Sequence, residues 1–246
     1  MALAATQAEA HDSSRLNRKP MSSRALTSLR DRINGQLQQV RLRLAHPDAQ
    51  LQLAGLGLVT GLLAGGVIVL FRIGVEGTQA LMLPGEHPEN YEALAPWLRL
   101  LLPTLGGLTI GLLFLWTADG KYLLGVARIM ERLAYHQGYL SLREFVLQFA
   151  GAALALASGP SVGREGPPIF LGAASGSLLG QRLSLPNNAI RTLVACGTAA
   201  GISASFNTPL AGVIFALEVV MMEYSLASFV PVILAAVSAD AVSILV

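Results

Sequence analysis

The ten residues Gly159-Pro-Ser-Val-Gly-Arg-Glu-Gly-Pro-Pro168 place charge where the chain is otherwise apolar. Apart from Arg164 and Glu165, the stretch from Phe145 to Gly180 is uncharged and mostly hydrophobic. A charge at membrane depth costs about 2.5–3.5 kcal/mol or more, so the pair calls for a function or a partner. Gly159 and Pro160 interrupt the preceding apolar run, and Gly163 is expected to let the backbone turn. Pro167 and Pro168 fit the first turn of a new helix, where no backbone N–H is needed. A helix beginning there aims the leading N–H groups of Gly163, Arg164, Glu165 and Gly166 at one spot, with the positive end of its dipole behind them. Such a spot is an anion site built from backbone, and the Glu165 carboxylate can compete for it.

The elements that must hold this stretch are membrane helices. Hydrophobic residues make up 53% of the 246-residue chain and charged residues 13%, and the apolar residues come in blocks. That pattern is a polytopic membrane protein, all-α, rather than a soluble core. Leu51–Phe71 is long enough to span, and its Gly57, Gly61 and Gly65 give one face on which another helix can approach closely. The stretch Gly74–Pro96 is expected to be a loop, acidic through Glu76, Glu86, Glu89 and Glu92. Trp97–Thr117 is a second span, with Trp97 and Trp116 as interfacial anchors. The next apolar pieces, Phe145–Ala157, Pro168–Gly180, Thr192–Ile202 and Pro209–Met222, are short and broken by Gly or Pro. Discontinuous helices of this kind surround the binding sites of many transporters. Ser225–Val246 is a longer final span holding Pro231 and Asp240.

Residues 1–50 differ. Positions 1–46 carry eight Arg and Lys against three Asp and Glu, a net +5, while the remainder nets −3. Residues 1–23 are polar, and Arg24 to His46 places Leu26, Leu29, Ile33, Leu37, Val40 and Leu44 at helical spacing between arginines. The reading is a basic cytoplasmic arm, its amphipathic helix lying on lipid or protein. With few aromatics and a membrane domain behind it, the arm fits the inner leaflet and not nucleic acid. The acidic loop then faces outside. The N-terminus lacks the apolar core of a signal peptide, which agrees with a cytoplasmic start in a plasma (inner) membrane.

Gly-Arg-Glu-Gly-Pro, with the surrounding Ser-Gly-x-Ser-x-Gly and Phe-Leu-Gly-Ala-x-x-Gly spacing, resembles the signature of the CLC family of chloride channels and proton-coupled chloride exchangers. The resemblance covers Leu51 to Val246, about the first half of that family's membrane domain. It implies tilted and broken transmembrane helices, a small anion such as chloride as the transported species, a homodimer with one pathway per subunit, and Glu165 as the gating glutamate. By the same resemblance Leu124, Gly125 and Val126 align with the Gly-Ser-Gly-Ile-Pro stretch. Leu124 stands where the chloride-binding serine would be and Ala127 replaces the proline, leaving only backbone N–H groups to hold an anion. In Asn207-Thr-Pro-Leu-Ala-Gly-x-x-Phe-x-x-Glu218, Glu218 matches the first of two acidic residues common in exchangers, and Val219 replaces the second. Valine carries no proton, so passive channel-like flux is expected, with Glu218 as the remaining candidate for a proton path and exchange as the alternative. The family's second half supplies a Gly-x-Phe-x-Pro motif and a chloride-coordinating tyrosine, neither present here, so a half that does not conduct alone is a further alternative.

Gly159-Pro-Ser-Val-Gly163 also satisfies the G-x-S-x-G nucleophile elbow of serine hydrolases. That motif needs a preceding strand and a histidine base. His11, His46, His87 and His136 all lie in polar stretches, and no alternating strand precedes Gly159, so an enzyme is not expected. No His/Cys cluster offers a metal site, the single Cys196 forms no internal disulfide, and no cofactor is expected.

Overall fold

The computed structural model describes residues 50–82, 91, 94–118, 125–160, 162–222 and 226–246, all within the unit Arg43–Val246. The basic arm with its amphipathic helix, most of the acidic loop, Leu124 and Ser161 lie outside the described residues. Among the described residues every regular element is helical: α1 Gln50–Met82, α2 Pro96–Ala118, α3 Val126–Tyr135, α4 Leu142–Ser158, α5 Gly166–Arg182, α6 Asn187–Phe206, α7 Pro209–Phe215, a π-helical segment Ala216–Met221, and α8 Leu226–Ile244.

Helix α1 is 33 residues long, about 50 Å at 1.5 Å per residue, and continues well past Phe71. The expected loop start at Gly74 is therefore corrected, and Glu76 is helical. Two interactions carry the helix through Gly74 and Gly77, each costing about 1 kcal/mol relative to alanine. Arg72 Nε donates to Glu76 Oε1 at 2.8 Å, one turn on. Gln79 is buried and donates from Nε2 to the Leu156 carbonyl at 3.0 Å. The short pieces are also longer than expected. Helices α4 and α5 have 17 residues each, and α6 has 20, enough with its composition to cross a membrane. Their polar end turns are helical, which counting apolar residues alone misses. The Pro209–Met222 piece is not one α-helix: it widens into the π segment and ends where Met222 turns left-handed at φ +53°.

Helix α6 is the central post. Of its membrane-length window 83% is buried, against 6% for α2, whose exposed Trp97 and Trp116 leave it facing outward. Small residues let neighbours reach the α6 backbone. Helix α5 crosses it antiparallel: a Cβ added to Gly172 would lie 2.1 Å from the Gly197 carbonyl oxygen, and one on Gly176 2.0 Å from that of Leu193. This crossing is the packing behind the Gly172–Gly176 spacing.

The repeat Gly57, Gly61 and Gly65 faces α8, meeting Pro231, Ala235 and Ala239 in that order, so α1 and α8 run parallel. A Cβ on Gly61 would sit 2.3 Å from the Ala235 carbonyl oxygen, whereas one on Gly66 meets nothing within 4 Å. Gly61→Leu is expected to lose about 1–3 kcal/mol through overpacking, and Gly66→Leu to lose none. Thermal unfolding in detergent, read from the reactivity of the buried thiol of Cys196, compares them. Equal melting of the two variants would refute a close α1–α8 seam.

Candidate functional site

Helix α4 delivers the chain to the site. It starts with a capping box: Ser141 Oγ accepts from Glu144 N at 3.2 Å, and Glu144 Oε2 accepts from Ser141 N at 2.9 Å. It ends at Gly159, whose φ of +80° is left-handed. A side chain there would also collide with Tyr91, since an added Cβ would lie 2.5 Å from its ring. The Tyr91 hydroxyl sits by the last α4 carbonyls, 3.1 Å from that of Leu156 and 3.0 Å from that of Ala157. Capping by a residue so far away in sequence satisfies groups that a helix end otherwise leaves open.

Gly163 is not in the left-handed region. Gly159 is the left-handed residue, Val162 N donates to the Pro160 carbonyl at 2.7 Å, and the chain bends at Arg164 and Glu165, directly after Gly163. Proline fixes its own φ and leaves the left-handed step to the glycine before it. The chain then enters α5 at Gly166, with Glu165 in the N-cap position and Pro167 in the first turn. The Glu165 side chain makes no capping hydrogen bond to its helix and is exposed. The N–H groups of Gly163, Glu165 and Gly166 have no partner among the described residues. Gly163, Arg164, Glu165, Gly166 and Pro167 are thus brought together at one helix start, which can accept an anion or a carboxylate through its N–H groups.

The other sequence candidates sit on different elements. Gly125 precedes α3 with φ +82° and ψ −161°, a conformation essentially restricted to glycine. Gly125 and Val126 are half-buried at this second helix start. Glu218 is exposed on the π segment and Val219 half-buried beside it. No His/Cys/Asp/Glu group suited to a metal occurs among the described residues.

Sequence reading missed a charged cluster that fixes α3 to α4. Glu144 is fully buried, and its Oε1 accepts from Arg128 Nε at 2.9 Å, Arg128 Nη2 at 2.6 Å and Arg132 Nη2 at 3.0 Å. Arg128 Nη1 also reaches Glu131 at 2.8 Å. The Ser141-x-x-Glu144 pattern before an apolar run was the available signal for the cap. Nothing local signals the arginines. Ser177 on α5 completes the frame, accepting from Leu140 N at 2.9 Å and donating to the Gly138 carbonyl at 2.6 Å.

The family model for voltage gated chloride channels matches residues 106–246. The chain belongs to the CLC family. A ClcB-like chloride channel protein from Ralstonia nicotianae is 41% identical over 152 residues, 60% of this chain and 35% of that protein. The voltage-gated ClC-type chloride channel ClcB of Escherichia coli is 34% identical over 192 residues, 76% of this chain and 46% of that one. The crystal structure of a CLC-type fluoride/proton antiporter superimposes with a TM-score of 0.62 at 29% identity, covering 81% of this chain and 48% of its own. A slow cyanobacterial Cl−/H+ antiporter shares the fold, with a TM-score of 0.60 at 23% identity. The chain spans between a third and a half of the length of these relatives. As a CLC family member with three helices, among the described residues, long and apolar enough to cross a bilayer, it is an integral membrane protein with an all-α fold.

Proposed function

We propose that this CLC protein carries chloride or a similar small anion across the membrane, that the start of α5 forms part of the anion path, and that Glu165 gates it. The observation that carries the reading is the helix start itself, where the N–H groups of Gly163, Glu165 and Gly166, without a partner among the described residues, stand beside an exposed carboxylate. An anion and the ionised carboxylate would compete for the same donors. Gly125 and Val126, at the start of α3, and Leu124 before them line the path on the inner side in this reading. Residues 51–246 then act as the first half of a CLC membrane domain, paired in a homodimer within lipid, and residues 1–50 as a cytoplasmic arm.

Channel-like passive flux is the form we favour, because Val219 has no ionisable group. Proton-coupled exchange is the second reading, favoured by the similarity to the fluoride/proton antiporter and leaving Glu218 as the inward carrier. Proteoliposomes separate the two. Chloride is expected to run down its gradient without driving protons uphill, and sustained proton pumping by a chloride gradient would assign exchange. The absence of any anion flux from a reconstituted protein carrying both halves of the membrane domain would overturn the whole reading.

The orientation follows from the charge of the two ends. The basic arm is placed inside and the acidic stretch around Glu89 outside the plasma (inner) membrane. A cysteine introduced at Glu89 should react with an impermeant thiol reagent on intact cells. Reaction only after permeabilisation would invert the topology.

A further inference from the structure

The open carbonyls at the end of α4 are covered one after another by side chains. Ser158 Oγ reaches the Leu154 and Ala155 carbonyls at 2.7 and 3.2 Å. Gln79 Nε2 donates to the Leu156 carbonyl at 3.0 Å and to the Tyr91 hydroxyl oxygen at 3.1 Å. With Leu156 served by Gln79, the one hydroxyl hydrogen of Tyr91 is left for the Ala157 carbonyl at 3.0 Å. Gln79, Ala157 and Ser158 are buried, which leaves little room for water to take over. Tyr91 is itself anchored. Its carbonyl accepts from Leu94 N at 3.3 Å, and the Leu94 carbonyl accepts from Arg99 Nε at 2.9 Å. The clamp on α4 is thereby rooted in α2 through Arg99 and in α1 through Gln79.

What the clamp holds is a hinge. Gly159 follows the α4 end at φ +80°, and the Tyr91 ring stands where a side chain would be. Beyond Gly159 the backbone is stiffer. Pro160 fixes its own φ, Val162 N is bonded to the Pro160 carbonyl at 2.7 Å, and Pro167 and Pro168 set the first turn of α5. Gln79 and Leu156 line the same cavity of about 380 Å³ as Arg164 and Pro168, so the clamp and the start of α5 border one small space. Helix α5 is locked to α6 through Gly172 and Gly176, and the other end of the turn is the one that Tyr91 holds.

We propose that Tyr91 is a positioning residue: it clamps the α4 end and Gly159, and so keeps the N–H groups of Gly163, Glu165 and Gly166 together at one helix start. Its hydroxyl holds the helix end and its ring wedges the hinge. The consequence for transport rests on the reading of Glu165 as the gate. Donors held in place grip an ionised carboxylate more strongly than the same donors on a loose turn, since nothing has to reorganise. Loosening the turn weakens that grip and favours the protonated, open gate. The charged residues bordering the adjoining cavity are Arg72 and Glu76 from α1, paired at 2.8 Å, and Arg164 from the turn.

Two measurements test this in variants that leave those three residues untouched. In the first, hydrogen exchange of the chain in lipid nanodiscs is followed by mass spectrometry. Tyr91→Phe keeps the ring and removes the donor. Peptides holding residues 155–162 should then exchange about fivefold faster or more, the lower end of what one orphaned buried acceptor produces. Peptides from the α5–α6 crossing should be unchanged. Tyr91→Ala removes the wedge as well and should exchange faster still; if it does not fold, Tyr91→Phe decides. Unchanged exchange in Tyr91→Phe, or an equal rise throughout the chain, would overturn the proposal. In the second, anion flux is followed across pH in protein carrying both halves of the membrane domain. The pH of half-maximal flux should move up by about half a unit in Tyr91→Phe, a threefold weaker grip at tenfold per unit. Adding Tyr91→Phe to Glu165→Gln should change the profile no further. A Tyr91→Phe profile that superimposes on the wild type, where Glu165→Gln flattens it, would overturn the positioning role. If Glu165→Gln leaves the profile as it was, the gate assignment fails, and the exchange rates still decide whether Tyr91 holds the turn.

Discussion

Glu144→Ala is expected to destabilise the protein by about 3–5 kcal/mol, the cost of breaking a buried ion pair by removing one partner. The carboxylate is completely buried and is the common acceptor for Arg128, Arg132 and the N–H and hydroxyl of Ser141. Its loss leaves two guanidinium groups at the α3–α4 junction facing each other, with part of their charge withdrawn from water. It also removes half of the capping box at the start of α4. Glu144→Gln keeps the shape but lacks the charge, and should recover only part of the loss. Removing the three buried members of the cluster, with Glu144→Leu, Arg128→Met and Arg132→Met together, should cost less than Glu144→Ala alone, since only the partly exposed Glu131 then loses its partner. Thermal unfolding followed by exposure of Cys196 measures all three variants. A Glu144→Ala protein that melts with the wild type would show that the cluster holds nothing together. Because Arg128 lies in the first turn of α3, next to Gly125 and Val126, the same clasp fixes the second helix start of the proposed path.

Glu165→Gln is expected to remove most of the pH dependence of anion flux. In the proposed mechanism, the ionised carboxylate takes the N–H groups at the start of α5 and excludes the anion. Protonation removes the charge that holds it against the helix dipole, and the side chain leaves. A gate worked by one proton can change flux by up to about tenfold per pH unit, since one unit is 1.36 kcal/mol. Wild-type flux should therefore rise as pH falls, while the glutamine variant, which mimics the protonated gate at every pH, should stay nearly level and conduct at neutral pH. The side chain is exposed and makes no hydrogen bond to its own helix, so Glu165→Gln breaks no internal contact and should fold normally. Chloride efflux from proteoliposomes across pH, compared for the two proteins with both halves of the membrane domain present, tests this. A variant with the wild-type pH profile would sink the gate assignment.

Much of the architecture was readable in the chain because it is written locally. Blocks of apolar residues mark helices whichever partner they meet, so the all-α membrane class followed from composition alone. Gly57, Gly61 and Gly65 marked a contact face on α1, since a helix surface repeats nearly every four residues. Pro167 and Pro168 marked the start of α5, because the missing N–H is harmless only there. The Gly-Arg-Glu-Gly-Pro signature carried the family.

The rest required chain segments to meet. Periodicity shows that a face exists, but only packing could decide that α8 covers it, and in parallel. The full length of α1 rests on Gln79 finding a carbonyl of α4, a contact across 77 residues that no local scan weighs against two glycines. At Gly159, the left-handed end of α4, the Tyr91 ring leaves no room for a side chain, a contact that only the assembled helices create. The buried charge of Glu144 is tolerable only because Arg128 and Arg132 arrive from another helix. Propensity, capping and turn chemistry act within a few residues and are legible in order along the chain. Burial and charge compensation act between residues far apart in it, and take effect only when the helices are assembled.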